Sequence, residues 1–66
     1  MTKNLYLNRK IQLYPNGRGQ KFGVIKNVDE YGFVIKITSA TSDSVYKVGN
    51  EYFISHSTAF EFVFVD

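Results

Sequence analysis

The chain has no cysteine and no tryptophan, and only one proline, one histidine and one methionine. Without cysteine, neither a disulfide nor a thiolate zinc site can hold a small domain together. One histidine, with carboxylates scattered singly, falls short of a zinc or calcium ligand set, so no metal and no cofactor is expected. No apolar stretch reaches the roughly 18 residues of a membrane-crossing helix. The run Leu5-Tyr6-Leu7 is followed at once by Asn8, Arg9 and Lys10, unlike the apolar core of a signal peptide. These absences set the expectation of a soluble protein of the cytoplasm with no membrane partner.

Catalytic groups are also scarce. Asp29-Glu30 is the one adjacent acidic pair, and a solvated turn explains it without the fixed separation that paired-carboxylate chemistry needs. Ser55-His56-Ser57 sets hydroxyls beside an imidazole. Nucleophilic catalysis needs an orienting third group and an oxyanion hole, which sequence neighbours on a turn do not supply. A histidine packed under the last strand, or hydrogen-bonded at its turn, is the simpler reading. The chain is expected not to be an enzyme.

What the chain has is aromatic. Five Tyr and six Phe stand in 66 residues, and each buried ring removes roughly 150–250 Å² from water. A domain this short buries only about 60% of its unfolded surface, so rings are a means of enlarging the core.

The ordering pattern is period two. In residues 21–38 (KFGVIKNVDEYGFVIKIT), Phe22, Val24 and Val28 share one parity, with Lys26 interrupting it, and Phe33, Ile35 and Ile37 share one parity after the turn around Gly32. Such alternation on both sides of a Gly-containing turn predicts a β-hairpin with one buried face. Ile11 and Leu13, with Gln12 and Tyr14 opposite, predict a preceding strand. Pro15-Asn16-Gly17-Arg18-Gly19 ends it, since Pro presets a turn angle and Asn-Gly tolerates positive φ. Gly23 inside the second strand predicts a bulge or a close backbone approach. Residues 39–44 are small and polar and predict a loop. Residues 45–48 predict a fourth strand, joined through Gly49-Asn50 to a return strand at 51–54. Residues 55–58 suit a single 3₁₀ turn, and 59–65 predict a closing strand. Residues 1–4 are expected to be loose. The expected core is Ile11, Leu13, Phe22, Val24, Val28, Phe33, Ile35, Ile37, Val48, Ile54, Phe60, Phe62 and Phe64.

Five or six short strands, a long first loop and a 3₁₀-like break before the last strand resemble the SH3-like small barrel. The fold class expected is therefore all-β, one domain over residues 1–66: an SH3-like barrel of five or six antiparallel strands. Within that group, residues 11–28 resemble a KOW motif through Ile11, Leu13, Gly17, Gly19, Gly23, Val24, Ile25 and Val28, without the Gly-Asp start common in that family. The segment Tyr52-Phe53-Ile54-Ser55-His56-Ser57, followed by Phe60-Glu61-Phe62, is similar in style to small bacteriophage or prophage proteins, which would act in the host cytoplasm.

Charge is unevenly spread. Residues 1–28 hold Lys3, Arg9, Lys10, Arg18, Lys21 and Lys26 and no carboxylate. Residues 29–66 hold six carboxylates against Lys36 and Lys47. Gly17-Arg18-Gly19 exposes N–H groups that suit an anion, but no helix follows, so it is not a P-loop. The interleaved cations and rings are Arg9, Lys10, Tyr14, Arg18, Lys21, Phe22, Lys26 and Tyr31; all but Phe22, which is expected in the core, form the candidate binding set. Lys10 and Gln12 are expected to point outward together, Lys21 to lie opposite Phe22, and Arg18 to sit at the loop tip.

Two functions follow. The first is a non-enzymatic binding or accessory module, of a small phage type, that binds a host or phage protein. Five tyrosines cannot all be buried, and exposed Tyr gives contact area at low entropic cost. Edge strands would also allow a homo-oligomer. The alternative is a KOW-like nucleic-acid-binding domain, whose cations meet phosphates while aromatic faces stack bases.

Overall fold

The computed structural model describes residues 5–17, 19–41, 45–58 and 60–66. The expectations for residues 1–4, Arg18, Ser42 to Ser44 and Ala59 lie outside the described residues.

Five strands form one antiparallel sheet: β1 (Lys10–Leu13), β2 (Lys21–Val28), β3 (Gly32–Ala40), β4 (Glu51–Ser55) and β5 (Phe62–Phe64). Their order is β4-β3-β2-β1-β5. The first four strands run as a meander, and β5 crosses to pair with the free side of β1. β4 and β5 are the two edges, so the sheet is open. The all-β, antiparallel expectation holds at the level of five strands in one sheet.

The sheet is strongly curved. β3 and β5 are separated by β2 and β1, which in a flat sheet would place them about 14 Å apart. Yet the Phe33 and Phe62 rings lie 5.8 Å apart, centroid to centroid. The bend has a local cause. The β2–β3 register shifts twice, between Phe22 and Gly23 and between Ile25 and Asn27, and bulges bend and twist the strands that carry them. Gly23 sits at the first shift. A Cβ there would come within 2.8 Å of both Ile35 Cγ2 and Lys36 O, so the close approach expected at this glycine is present.

The bulge at Lys26 corrects the expected face of β2. Ile25 and Val28 are three residues apart, yet both are buried. The extra residue flips the parity between them. Lys21, Gly23 and Ile25 therefore face inward, while Phe22 and Val24 face outward opposite Ser39 and Lys36. The sequence expectation carries the parity of Val28 back across Lys26 to Val24 and Phe22, with no shift of face at Lys26.

The core is Ile11, Leu13, Ile25, Val28, Ile35, Ile37 and Ile54. Half-buried rings close its margin: Tyr6, Tyr14, Phe33, Tyr46, Tyr52, Phe60 and Phe62. Phe33 is their hub, in contact with Tyr6, His56, Phe60 and Phe62. Phe64 faces the same side but stays 41% exposed.

Residues 45–48 do not form the expected strand. Val45 and Val48 are exposed, and Ile37 exchanges backbone bonds directly with Gly49 and Asn50, so β4 begins at that point. The Tyr52 hydroxyl accepts the Lys47 N–H at 2.9 Å, while the Tyr46 and Tyr52 rings meet edge-on at 5.1 Å. These contacts hold the segment as a turn. The turn expected before the last strand is present: Thr58 N donates to Ser55 O at 3.0 Å.

Candidate functional site

The ladder register assigns the outer face of the sheet. One row across it reads Lys10, Val24, Lys36 and Glu51 from β1 to β4. Another reads Val63, Gln12, Phe22 and Ser39. A third reads Asn27, Val34 and Phe53. Phe53 is 57% exposed. Lys10, Lys26 and Lys36 are all exposed, and among the described residues no ion pair engages their ammonium groups.

These rows arrange two kinds of chemistry. Phe22, Val24, Val34 and Phe53 run diagonally over β2, β3 and β4 as an apolar band. Lys10 and Lys26 lie on one side of it and Lys36 on the other. The three central strands contain four lysines and no carboxylate. Glu51 and Glu61 lie toward the two edges, and Asp29 and Glu30 lie in the β2–β3 turn.

The seven residues of the sequence-derived binding set do not assemble as one site. Lys10 and Lys26 share the outer face. Arg9 is held elsewhere: its guanidinium grips Asp66 through Nε to Oδ2 at 2.7 Å and Nη2 to Oδ1 at 3.0 Å, and lies 4.0 Å from the centre of the Phe64 ring. Tyr14 leaves β1 with φ of +46° and turns its ring onto Phe60, although alternation placed it outward. Lys21 is the largest departure, because the expectation put it opposite Phe22 on the surface. It is 7% exposed, on the inner face opposite Leu13 and Ala40, with its ammonium 6.0 Å from the Tyr14 ring centre. Tyr31 is exposed at the tip of the β2–β3 turn. Arg18 lies outside the described residues.

Comparison with protein-family models, curated proteins and solved structures finds no match.

Lys36, Phe22 and Phe53 belong to the face but not to the expected set. Lys36 was readable, since it alternates with the inward Ile35 and Ile37. Phe22 was hidden by the parity flip, and Phe53 by the absence of a signal that β4 is an edge.

The remaining polar clusters have local roles. Asp29 Oδ1 accepts from Tyr31 N at 2.8 Å and Gly32 N at 3.0 Å, fixing the β2–β3 turn. His56 Nε2 is 2.7 Å from Asp29 O. A carbonyl only accepts, so Nε2 carries the proton and ties the β4–β5 turn to the β2–β3 turn. Ser55 and Ser57 bond to each other through their hydroxyls at 2.9 Å. Burial pushes the Tyr46 hydroxyl above its usual pKa, and the neighbouring Tyr14 hydroxyl adds to the shift. The Arg9 hydrogen bond holds the Asp66 carboxyl below its ordinary range.

Proposed function

We propose that this protein is a non-enzymatic binding module of SH3-like architecture whose working surface is the outer face of its sheet. The architecture is supported by the curved five-stranded sheet, the long connection between β1 and β2 and the single turn before β5. The observation that carries the functional reading is the apolar band of half-buried Phe22, Val24 and Val34 and exposed Phe53, set among exposed lysines whose ammonium groups no ion pair engages among the described residues. Isolated exposed apolar residues need no explanation, but a contiguous patch rimmed by polar groups marks an interaction surface. The tyrosines support a protein interface less well than the sequence suggested. Four of the five are half-buried against the core, and only Tyr31 is exposed.

A surface kept for binding contributes little to the fold. Phe53→Thr should therefore change unfolding free energy by no more than about 0.5 kcal/mol, as for an ordinary surface site. A loss above about 2 kcal/mol in urea unfolding would mean that Phe53 is packed in solution, and the face would not be a binding surface.

A further inference from the structure

We infer that the occupant of the outer face is a single-stranded nucleic acid, lying along the diagonal band with its bases on Phe22 and Phe53 and its phosphates beside Lys10, Lys26 and Lys36. This rests on the reading of that face as the working surface. The argument is charge complementarity joined to shape. β1, β2 and β3 carry no carboxylate, so the charges on the three central strands are all cationic; Glu51 stands opposite Lys36 on the edge strand β4, and the Asp66 carboxylate, which meets the Lys10 backbone N–H at 3.3 Å, is engaged by Arg9. Adjacent strands are about 4.8 Å apart, which places the Lys10 and Lys36 backbones about 10 Å apart with Val24 between them. Cations thus flank an apolar strip on both sides. A polyanion whose flat apolar groups project from a charged backbone matches this arrangement. A duplex turns its base faces inward, away from the band, and a polyglutamate-type peptide offers charge without a ring to stack. Gln12, Asn27 and Ser39 on the same face offer amide and hydroxyl groups to base edges.

The test is an NMR titration of the isotope-labelled full chain with three probes: a short oligothymidylate, its duplex with oligoadenylate, and a polyglutamate peptide. The inference expects amide shifts on Phe22, Val24, Lys26, Val34, Lys36 and Phe53 with the single strand, and clearly weaker ones with the other two. Three phosphate contacts give a slope of about −2 for log affinity against log salt, so binding should fall roughly twenty-fold from about 50 to about 200 mM salt. Phe53→Ala should weaken binding about five-fold or more through lost stacking. Replacing Lys10 and Lys36 by Ala should flatten the slope to about −0.7. Equal binding of duplex or polyglutamate on this face would overturn the single-strand assignment and leave the working surface in place. No shifts with any probe would also overturn it, with the Phe53→Thr stability test still deciding the face. Shifts confined to residues off the face would overturn both.

Discussion

Replacing Gly32 by alanine tests the β3–β4 junction. An added Cβ would run into Ile54 O and come within 2.8 Å of Ser55 Cα and 2.9 Å of Ile54 C. All three are backbone atoms, so no side chain can rotate away and the strands must separate. Separation strains the Gly32–Ser55 and Phe33–Ile54 pairs and loosens Ile54, which is 7% exposed. Overpacking costs about 1–3 kcal/mol, and partial exposure of Ile54 adds up to about 2 kcal/mol. A loss of about 3 kcal/mol or more is expected. Gly49→Ala is the internal control. Gly49 has φ of +89° and, among the described residues, nothing within 4 Å of its Cβ position, so left-handed strain is the cost expected, about 1–2 kcal/mol, partly offset by a stiffer unfolded chain. At roughly 4–8 °C per kcal/mol for a domain of this size, Gly32→Ala should lower Tm by about 20 °C and Gly49→Ala by about 5 °C, read by far-UV circular dichroism. A Gly32→Ala variant no less stable than Gly49→Ala would refute the described contact between β3 and β4.

Three further outcomes follow from single contacts. Asp29→Ala removes the acceptor for two backbone N–H groups and should cost about 1–2 kcal/mol in urea unfolding, with Asn retaining most of it. The Asp66 carboxyl is lowered from its ordinary 3.8 by Arg9. Its contribution is therefore complete above that value and is lost as pH falls through the folded-state pKa. The Tm gap between wild type and Asp66→Asn should be constant at neutral pH and close in acid; a gap that stays open at the lowest pH would exclude the Arg9 pairing as its source. Tyr46 is shifted the other way, raised from 10.0 chiefly by burial, so its contribution is present below that value and fades as pH rises through the higher folded-state pKa. Tyr46→Phe should reduce the alkaline loss of stability, read as the fall in Tm between neutral and alkaline pH; an unchanged fall would exclude Tyr46 as its source.

Most of the sheet was legible because alternation is a local signal. Ile11 and Leu13 in β1, and Ile35 and Ile37 in β3, are buried as their parity predicts. Gly23 reads as a bulge from its position alone, and Ser55 to Thr58 as a turn from its capping residues. β2 failed at Lys26. A bulge there inverts every side chain before it, and its one sign in the sequence is Lys26 itself, a charge interrupting the apolar parity. Val48, expected in the core, is exposed, because the pairing to β3 starts only at Gly49 and Asn50, which bond to Ile37. The sequence set out the cations but not their partners. The pairing of Arg9 with Asp66 spans nearly the whole chain, and the burial of Lys21 depends on the same parity flip. Lys10 and Lys26 stayed on the surface, and the structure joined them to Lys36, Phe22 and Phe53.

Everything proposed about the outer face depends on which side of the sheet Val24 and Ile25 occupy. A methyl-resolved nuclear Overhauser spectrum answers that directly. The account predicts cross-peaks from the Ile25 methyls to Ile35 and from the Val24 methyls to the side chains of Lys10 and Lys36. Cross-peaks from Val24 to Leu13 or Ile37 would show that β2 has no parity flip, and the cationic, aromatic face would not exist as described.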